Sequence, residues 1–384
     1  MGIKLNQSII KFIVQLSMNM KIEEIIAVLE NYAPTIYQET YDNVGLIVGS
    51  HDRECTGILL AMDVTESIIA EAILKKANLI IAHHPVIFQG LKKISERNYT
   101  GRAIIAAIRN DIAIYAIHTN LDNISKGVNG KIAQKLGMID TRPLLPSTNS
   151  LRKLYTFVPQ EFTEKVRSAL FEAGAGHIGN YSETSFGTSG TGTFKGGEGS
   201  NPFVGAKGTR HEEKENKIEV IFPVHLRASV LRALLDSHPY EEVAYDIVDL
   251  SNDAKDIGSG LIGDLPRPVR GVELLSLLKQ EFRLKIIRHS PLLEGEVTRI
   301  ALCGGAGSFL ISKALLAGAQ FFISADIKYH EFFDANGRMV IADIGHYESE
   351  QFTIELLHEL LREKFPTFAV LKPDTITNPV NYYF

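Results

Sequence analysis

The sequence predicts an α/β protein in which two similar α/β halves form one domain, with a ferredoxin-like α+β domain inserted between them. Three observations predict it. Short apolar runs alternate with helix-period segments in the first third, the same alternation returns in the last third, and the middle breaks it. Strand–helix–strand alternation argues a parallel sheet flanked by helices, because parallel neighbours need a crossover connection.

The elements follow from local pattern. GILLAM (57–62) is an apolar run of strand length, and ESIIAEAILKKA (66–77) carries apolar residues at helical spacing. NLIIA (78–82) is a second strand, GRAIIAAIRN (101–110) a helix and IAIYAI (112–117) a third strand. In the middle, LYTFVP (154–159) reads as strand and EFTEKVRSALFEAG (161–174) as an amphipathic helix. The Gly/Ser/Thr-rich stretch 179–208 carries Tyr181, Phe186, Phe194 and Phe203, which favours two short strands with a glycine-rich hairpin over a flexible linker. KIEVIFP (217–223), HLRASVLRALLDSH (225–238) and VAYDIVDL (243–250) follow as strand, helix and strand, an order that resembles a ferredoxin-like unit. In the last third TRIALCG (298–304), FFISA (321–325) and MVIADI (339–344) are strands. SFLISKALLAGA (308–319) and SEQFTIELLHELLREKF (349–365) are helices. The expected domains are 20–145 with 253–384, and 146–252 as the insert, with LLPSTNS and SNDAKD as linkers and residues 1–19 as an extension.

The outer thirds read as copies. At an offset of 242 positions Ile58 meets Ile300, Ile69 meets Ile311, Ala72 meets Ala314, and His84 falls on Asp326. At an offset of 228, His118 meets His346 and Asp122 meets Glu350. The matched H-x-x-x-acid pairs argue an internal duplication.

Composition narrows the classes. The chain has 384 residues, 45% hydrophobic and 22% charged, which suits more than one globular domain. A formal charge of −5 argues against nucleic-acid binding over the whole surface. Two cysteines, Cys55 and Cys303, form no disulfide framework and fit a reducing cytosol, so a cytoplasmic protein is expected. No run reaches the length of a membrane span, and the apolar stretch Ile9–Val14 is too short for a signal peptide.

One regularity organises the chemistry: polar clusters follow directly on apolar strands. Asp63 follows GILLAM, His83 and His84 follow NLIIA, and His118 and Asp122 follow IAIYAI. Asp326, Lys328 and His330 follow FFISA, and His346 and Glu350 follow VIADIG. In parallel α/β sheets ligands bind outside the carboxyl ends of the strands, so these clusters should converge on one rim. Imidazoles and carboxylates suit borderline divalent metals, and the absence of cysteine from the clusters argues against structural zinc. Consecutive histidines can each face a different ion, and a bridging carboxylate could join the two. His346 and Glu350 stand at i and i+4 and share a helix face. The two α/β halves are therefore expected to form one metal-binding domain.

The motifs YDNVGLIVG (41–49), AMDVT (61–65), AHHPVIF (82–88), HTNLDN (118–123), GGAGS (304–308), ADIKYHE (325–331) and GHYESE (345–350) resemble the NGG-one-interacting-factor-three-like (Nif-three-like) family, whose members are also labelled GTP cyclohydrolase I type 2 homologues. The resemblance runs from Met20 onward, and HPYEEVAYDI (238–247) is similar to the CutA-like and PII-like ferredoxin folds inserted in longer members. It implies two divalent metal ions per chain (zinc, iron, nickel or manganese) held by His83, His84, Asp122, His346 and Glu350, with Glu350 as the bridge. It also implies a toroidal homohexamer with the metal sites facing the interior.

Around that centre, His118 is expected to orient a ligand or act as general acid/base. Lys328, Tyr329 and His330 suit an anionic, phosphate-containing or other small-molecule substrate, with His330 a second catalytic candidate. Asp63 is placed to hold a ligand histidine. Asn43 and Gly45 form a turn. CGGAGS (303–308) lacks both the GxGxxG form and the Walker pair, and reads as close helix–strand packing. The expected function is a metal-dependent hydrolase acting on a phosphoester, an amide or a purine ring. The alternative is a non-catalytic metal-binding or regulatory protein whose insert is an interaction or sensing module.

Overall fold

A computed structural model of the chain describes residues 20–383, so the extension expected at 1–19 lies outside the described residues. The chain divides into two units, one formed by the residues up to Leu145 together with those from Asp256 onward, the other by Pro146–Lys255. The second boundary falls at Asp256 rather than at 253.

The first segment of the larger unit runs α1 (Ile22–Tyr32), β1 (Gly45–Val48), β2 (Ile58–Ala61), α2 (Glu66–Leu74), β3 (Leu79–Ala82), α3 (Tyr99–Arg109), β4 (Ala113–Ala116), α4 (Thr119–Asp122), α5 (Val128–Lys135) and β5 (Ile139–Pro146). The smaller unit holds β6 (Leu151–Pro159), α6 (Thr163–Glu172), β7 (Phe186–Lys195), β8 (Arg210–Pro223), α7 (Arg227–Ser237) and β9 (Tyr245–Leu250). The last segment holds β10 (Gly258–Arg270), α8 (Gly271–Glu281), β11 (Arg288–His289), β12 (Glu296–Ala306), α9 (Ile311–Leu316), β13 (Phe321–Ala325), β14 (Val340–Asp343), α10 (His346–Glu350), α11 (Thr353–Lys364) and β15 (Val370–Leu371).

The larger unit has two sheets, ordered β1-β4-β3-β2-β15 and β11-β14-β13-β12-β10-β5. A run of three parallel strands recurs in each, β2-β3-β4 in one, where β15 adds a fourth parallel to β2, and β12-β13-β14 in the other. Each three-stranded set carries an antiparallel edge strand, β1 on β4 and β11 on β14. The registers also correspond, with Ile58 opposite Leu79 and Ile300 opposite Phe321. β2, β3, β4 and β14 are buried at every residue, as parallel strands covered on both faces must be. Helix starts are marked by side-chain caps: Thr65 accepts from the Ile68 amide at α2, and Asn98 from the Gly101 amide at α3. Ile69 and Ala72 of α2 and Ala103 and Ala107 of α3 pack on Leu59 and Ile80. Ile311 and Ala314 of α9 pack on Ala301 and Phe322 in the other sheet.

The smaller unit is a sheet ordered β7-β8-β6-β9, antiparallel throughout. Leu154, Val158, Leu170, Val220, Phe222 and Leu234 form its core. The sequence reading of two short strands within 179–208 is corrected here. That stretch yields one strand, β7, and its hairpin partner is β8, in a ladder from Phe186–Glu219 to Lys195–Arg210. The start of β8, RHEEKEN, is polar on both faces, so no apolar alternation betrayed it.

Candidate metal centre

The centre forms where the parallel strands of both sheets end. His83 and His84 continue β3, their amides donating to the Ala61 and Met62 carbonyls at 3.0 and 2.9 Å. Their ring centroids are 4.9 Å apart, and His118 stands edge-on to both at 5.3 and 5.4 Å. Asp122 closes α4, and α10 sets His346 and Glu350 at i and i+4 on one face.

Glu350 is the hub and is 2% exposed. Its Oε2 lies 3.0 Å from His84 Nε2 and 3.2 Å from His346 Nε2. Its Oε1 lies 3.8 Å from His83 Nε2, which is in turn 3.7 Å from Asp122 Oδ1. One carboxylate thus turns an oxygen to each of two groups, His84 with His346 and His83 with Asp122. In each group the ligand atoms lie within 4.8 Å of one another, as they do for His83, His84 and His118.

The imidazoles are held from behind. Nδ1 pairs with the Ile117 carbonyl at 2.9 Å in His83 and with Asp63 at 2.8 Å in His84. It pairs with Asp42 at 2.9 Å in His118 and with Asp326 at 2.7 Å in His346. An acceptor on Nδ1 fixes the ring and leaves Nε2 as the remaining donor atom, the arrangement typical of metal-binding histidine. The carboxylates are themselves anchored: Thr377 Oγ1 donates to Asp63 at 2.7 Å, and the Thr119 amide to Asp42 at 3.0 Å.

Two buried atoms, His83 Nε2 and Asp122 Oδ1, have no hydrogen-bond partner. Their separation of 3.7 Å is too long for a hydrogen bond. It matches two ligands sharing one ion at ~2.0–2.2 Å each. Nitrogen and carboxylate oxygen donors without thiolate suit zinc, iron, nickel or manganese. The residues fit a divalent metal.

The electrostatics carry the same message. Burial alone would raise Glu350, but hydrogen bonds from His346 and His84, with the His83 imidazole close by, hold it well below the usual carboxylate range. Asp122 is pushed well up by burial and by the charge of Glu350. Burial opposes charge on His84 and His346, yet Asp63 and Glu350 bring the first up to about 10, and Glu350 and Asp326 the second up to about 9. Full burial pushes His83 down. Protons on His84 and His346 thus supply the positive charge that the carboxylates demand, and a metal would have to displace them.

GGAGS serves packing. Gly305 has φ +62, and a Cβ there would stand 2.3 Å from Glu350 Oε1. Its amide donates to Ser349 Oγ at 2.9 Å, and the Gly304 amide to Asn129 Oδ1 at 2.9 Å.

The other sequence candidates lie apart from these groups. Lys328 precedes a 3-10 turn, its amide donating to Glu331 Oε2 at 2.8 Å. Tyr329 borders a separate cavity of about 430 Å³ with Arg288 and Phe332. His330 stacks on Phe333 at 6.3 Å. Among the described residues none of the three belongs to a group of close ligand atoms. Sequence reasoning missed Asp42, which lies within YDNVG and was read only as part of a turn. It also left Asp326 without a role, although the internal alignment set that residue opposite His84.

Comparison with known proteins gives concordant results. The family model described as Duf34/NIF3 (NGG1p interacting factor 3) matches residues 20–379. A Halalkalibacterium halodurans protein named GTP cyclohydrolase 1 type 2 homolog is 39% identical over 365 residues, 94% of this chain and 98% of that one. A Bacillus subtilis protein of the same name is 36% identical over 94% of this chain and 98% of its own. The crystal structure of a Bacillus cereus protein related to NIF3 superposes with a TM-score of 0.84 at 36% identity, covering 96% of this chain and 100% of that one.

Proposed function

The chain belongs to the Duf34/NIF3 family, and from that premise we propose that it is a dinuclear metal-dependent hydrolase. The observation that carries this reading is Glu350, whose two oxygens face two separate ligand groups, one of them holding unpartnered buried donors. His83 with Asp122 would hold one divalent ion and His84 with His346 the other, with Glu350 shared between them. Zinc, iron, nickel and manganese all suit the donor set, and availability would choose among them. Such ions, when bound, would bring the pKa of coordinated water down toward neutrality and so supply a nucleophile.

The chain's own residues do the rest. Asp63, Asp42 and Asp326 hold the His84, His118 and His346 rings so that each Nε2 is available. His118, adjacent to His83 and His84, is assigned the proton transfer to the leaving group. Lys328, Tyr329 and His330 follow Asp326 in the chain and are assigned to an anionic substrate, a phosphoester or a nucleotide. Opening of the GTP purine ring is one member of that class, favoured by the names of the relatives. The smaller unit, with its β-α-β-β-α-β order, is proposed as a ferredoxin-like domain inserted into the metal-binding domain, and six chains as a ring.

Metal content by plasma mass spectrometry, together with turnover of phosphodiester, nucleotide and amide substrates, tests the reading. We expect two ions per chain, E350A to lose both, and D122N to lose one. Full metal content in E350A, or two ions with no turnover of any of these substrates, would overturn the hydrolase.

A further inference from the structure

We propose that the smaller unit carries a binding pocket for a small organic cation, an alkylammonium or guanidinium group, with Glu215 as its counter-ion. The unit contains a cavity of about 770 Å³ lined by Phe157, Gly190, Gly192, Phe203, Glu215 and Tyr240, among others. That size is usual for a small-molecule site. The cavity lies on the sheet face opposite the core, where Phe157 pairs with Lys217 and Pro159 with Glu215.

Two glycines of β7 make the room. A Cβ at Gly192 would stand 2.0 Å from Glu215 Oε2, so a side chain there would displace that carboxylate from its present position. A Cβ at Gly190 would meet nothing within 4 Å. The Gly/Ser/Thr-rich composition of β7 thus has a spatial reason.

The chemistry of the lining selects positive charge. Glu215 is 8% exposed, and its Oε1 accepts from the Tyr240 hydroxyl at 2.9 Å. The lysine lining the cavity, Lys217, is committed elsewhere, to Glu219 at 2.8 Å and over the Tyr155 ring at 4.3 Å. A buried carboxylate partnered by a phenol rather than a cation is costly until a positive group reaches it. Glu241 and Glu242 add negative charge to the lining, whereas Glu219 is neutralised by Lys217 and Lys153. Aromatic rings supply the remaining walls, with Phe194 and Phe203 at 6.1 and 6.2 Å from the Tyr240 centroid. Ring faces attract cations, most strongly where water is excluded. Phosphate or carboxylate ligands would meet only repulsion at Glu215.

Tyr240 is fixed for this task by HPY (238–240). His238 Nε2–H donates to the Phe157 carbonyl at 3.0 Å, and its Nδ1 accepts from the Tyr240 amide at 3.1 Å. Those two bonds define a neutral tautomer that ties the tyrosine to the cavity floor.

Titration calorimetry on the full chain with n-butylammonium, n-butylguanidinium and tetramethylammonium tests the proposal, with 1-butanol and butyrate as comparators. Saturable binding of at least one cation and none of either comparator is expected. E215Q should weaken that binding about tenfold, the equivalent of about 1.4 kcal/mol. G190V should abolish it with the melting temperature unchanged, since its side chain enters open space; this variant decides the matter if E215Q fails to fold. Binding of 1-butanol as tight as that of butylammonium, unchanged affinity in either variant, or no binding of any cation would overturn the proposal.

Discussion

Glu350 depends on a neighbour that has no side chain. Gly305 lies against its Oε1 in a left-handed conformation, and an added methyl would stand 2.3 Å away. G305A should therefore both displace the carboxylate and strain the backbone, costing about 1–3 kcal/mol and most of the bound metal. Gly318 separates the two effects. Its φ is +77, but a Cβ there meets nothing within 4 Å, so G318A should share the backbone penalty and keep its metal. Metal content and thermal melting of the two variants check this, and a fully loaded G305A would refute it. At this scale the sequence was informative only in combination: HHP after NLIIA says little alone, but with HTNLD and GHYESE at matching strand ends it is hard to read as packing. It was silent about Asp42, because nothing local announces that its carboxylate reaches His118, 76 residues on.

Individual helices and strands follow their periodicity closely where they are apolar and poorly where they are not. β13 was read residue for residue as FFISA, whereas the polar start of β8 passed unnoticed. α2 carries a less visible feature, a clamp on the C-terminal segment. The buried Glu71 accepts from the Asp374 and Thr375 amides at 2.7 and 3.0 Å and pairs with Lys75 at 2.7 Å. Burial disfavours its charge, but Lys75 and Thr375 prevail and bring it down to about 2 from an ordinary 4.5. A carboxylate depressed in the folded state adds stability that is complete above 4.5 and fades as pH falls toward about 2. Amide exchange at residues 374 and 375, corrected for its intrinsic pH dependence, should lose protection across that window, and E71Q should lack protection at every pH. Flat protection in the wild type would contradict the clamp. The same segment carries Thr377, which anchors Asp63 behind His84, so local release there should also loosen that ligand.

Taken whole, the molecule is two units with separate cores. The smaller keeps Leu154, Val166, Ile218, Phe222, Val230 and Leu234 within residues 146–255. A polypeptide of those residues alone should fold and unfold cooperatively, since its sheet and both helices are internal to it. Chemical denaturation followed by circular dichroism checks this; a gradual, non-cooperative loss of signal would count against it. The α/β class, the parallel strands β2, β3, β4, β12, β13 and β14 and the residue types at their ends were legible in sequence alone, because hydrophobic periodicity is local and a parallel strand must end where its apolar run ends, whereas β1, β5, β10, β11 and β15 received no strand reading. Tertiary structure alone decided that His84 and Glu350, 266 residues apart, share a hydrogen bond, and that Glu350 turns one oxygen to each of two groups. The physical reason is that contacts between two separately built sheets depend on how their faces pack, and no periodicity within either sheet encodes that packing.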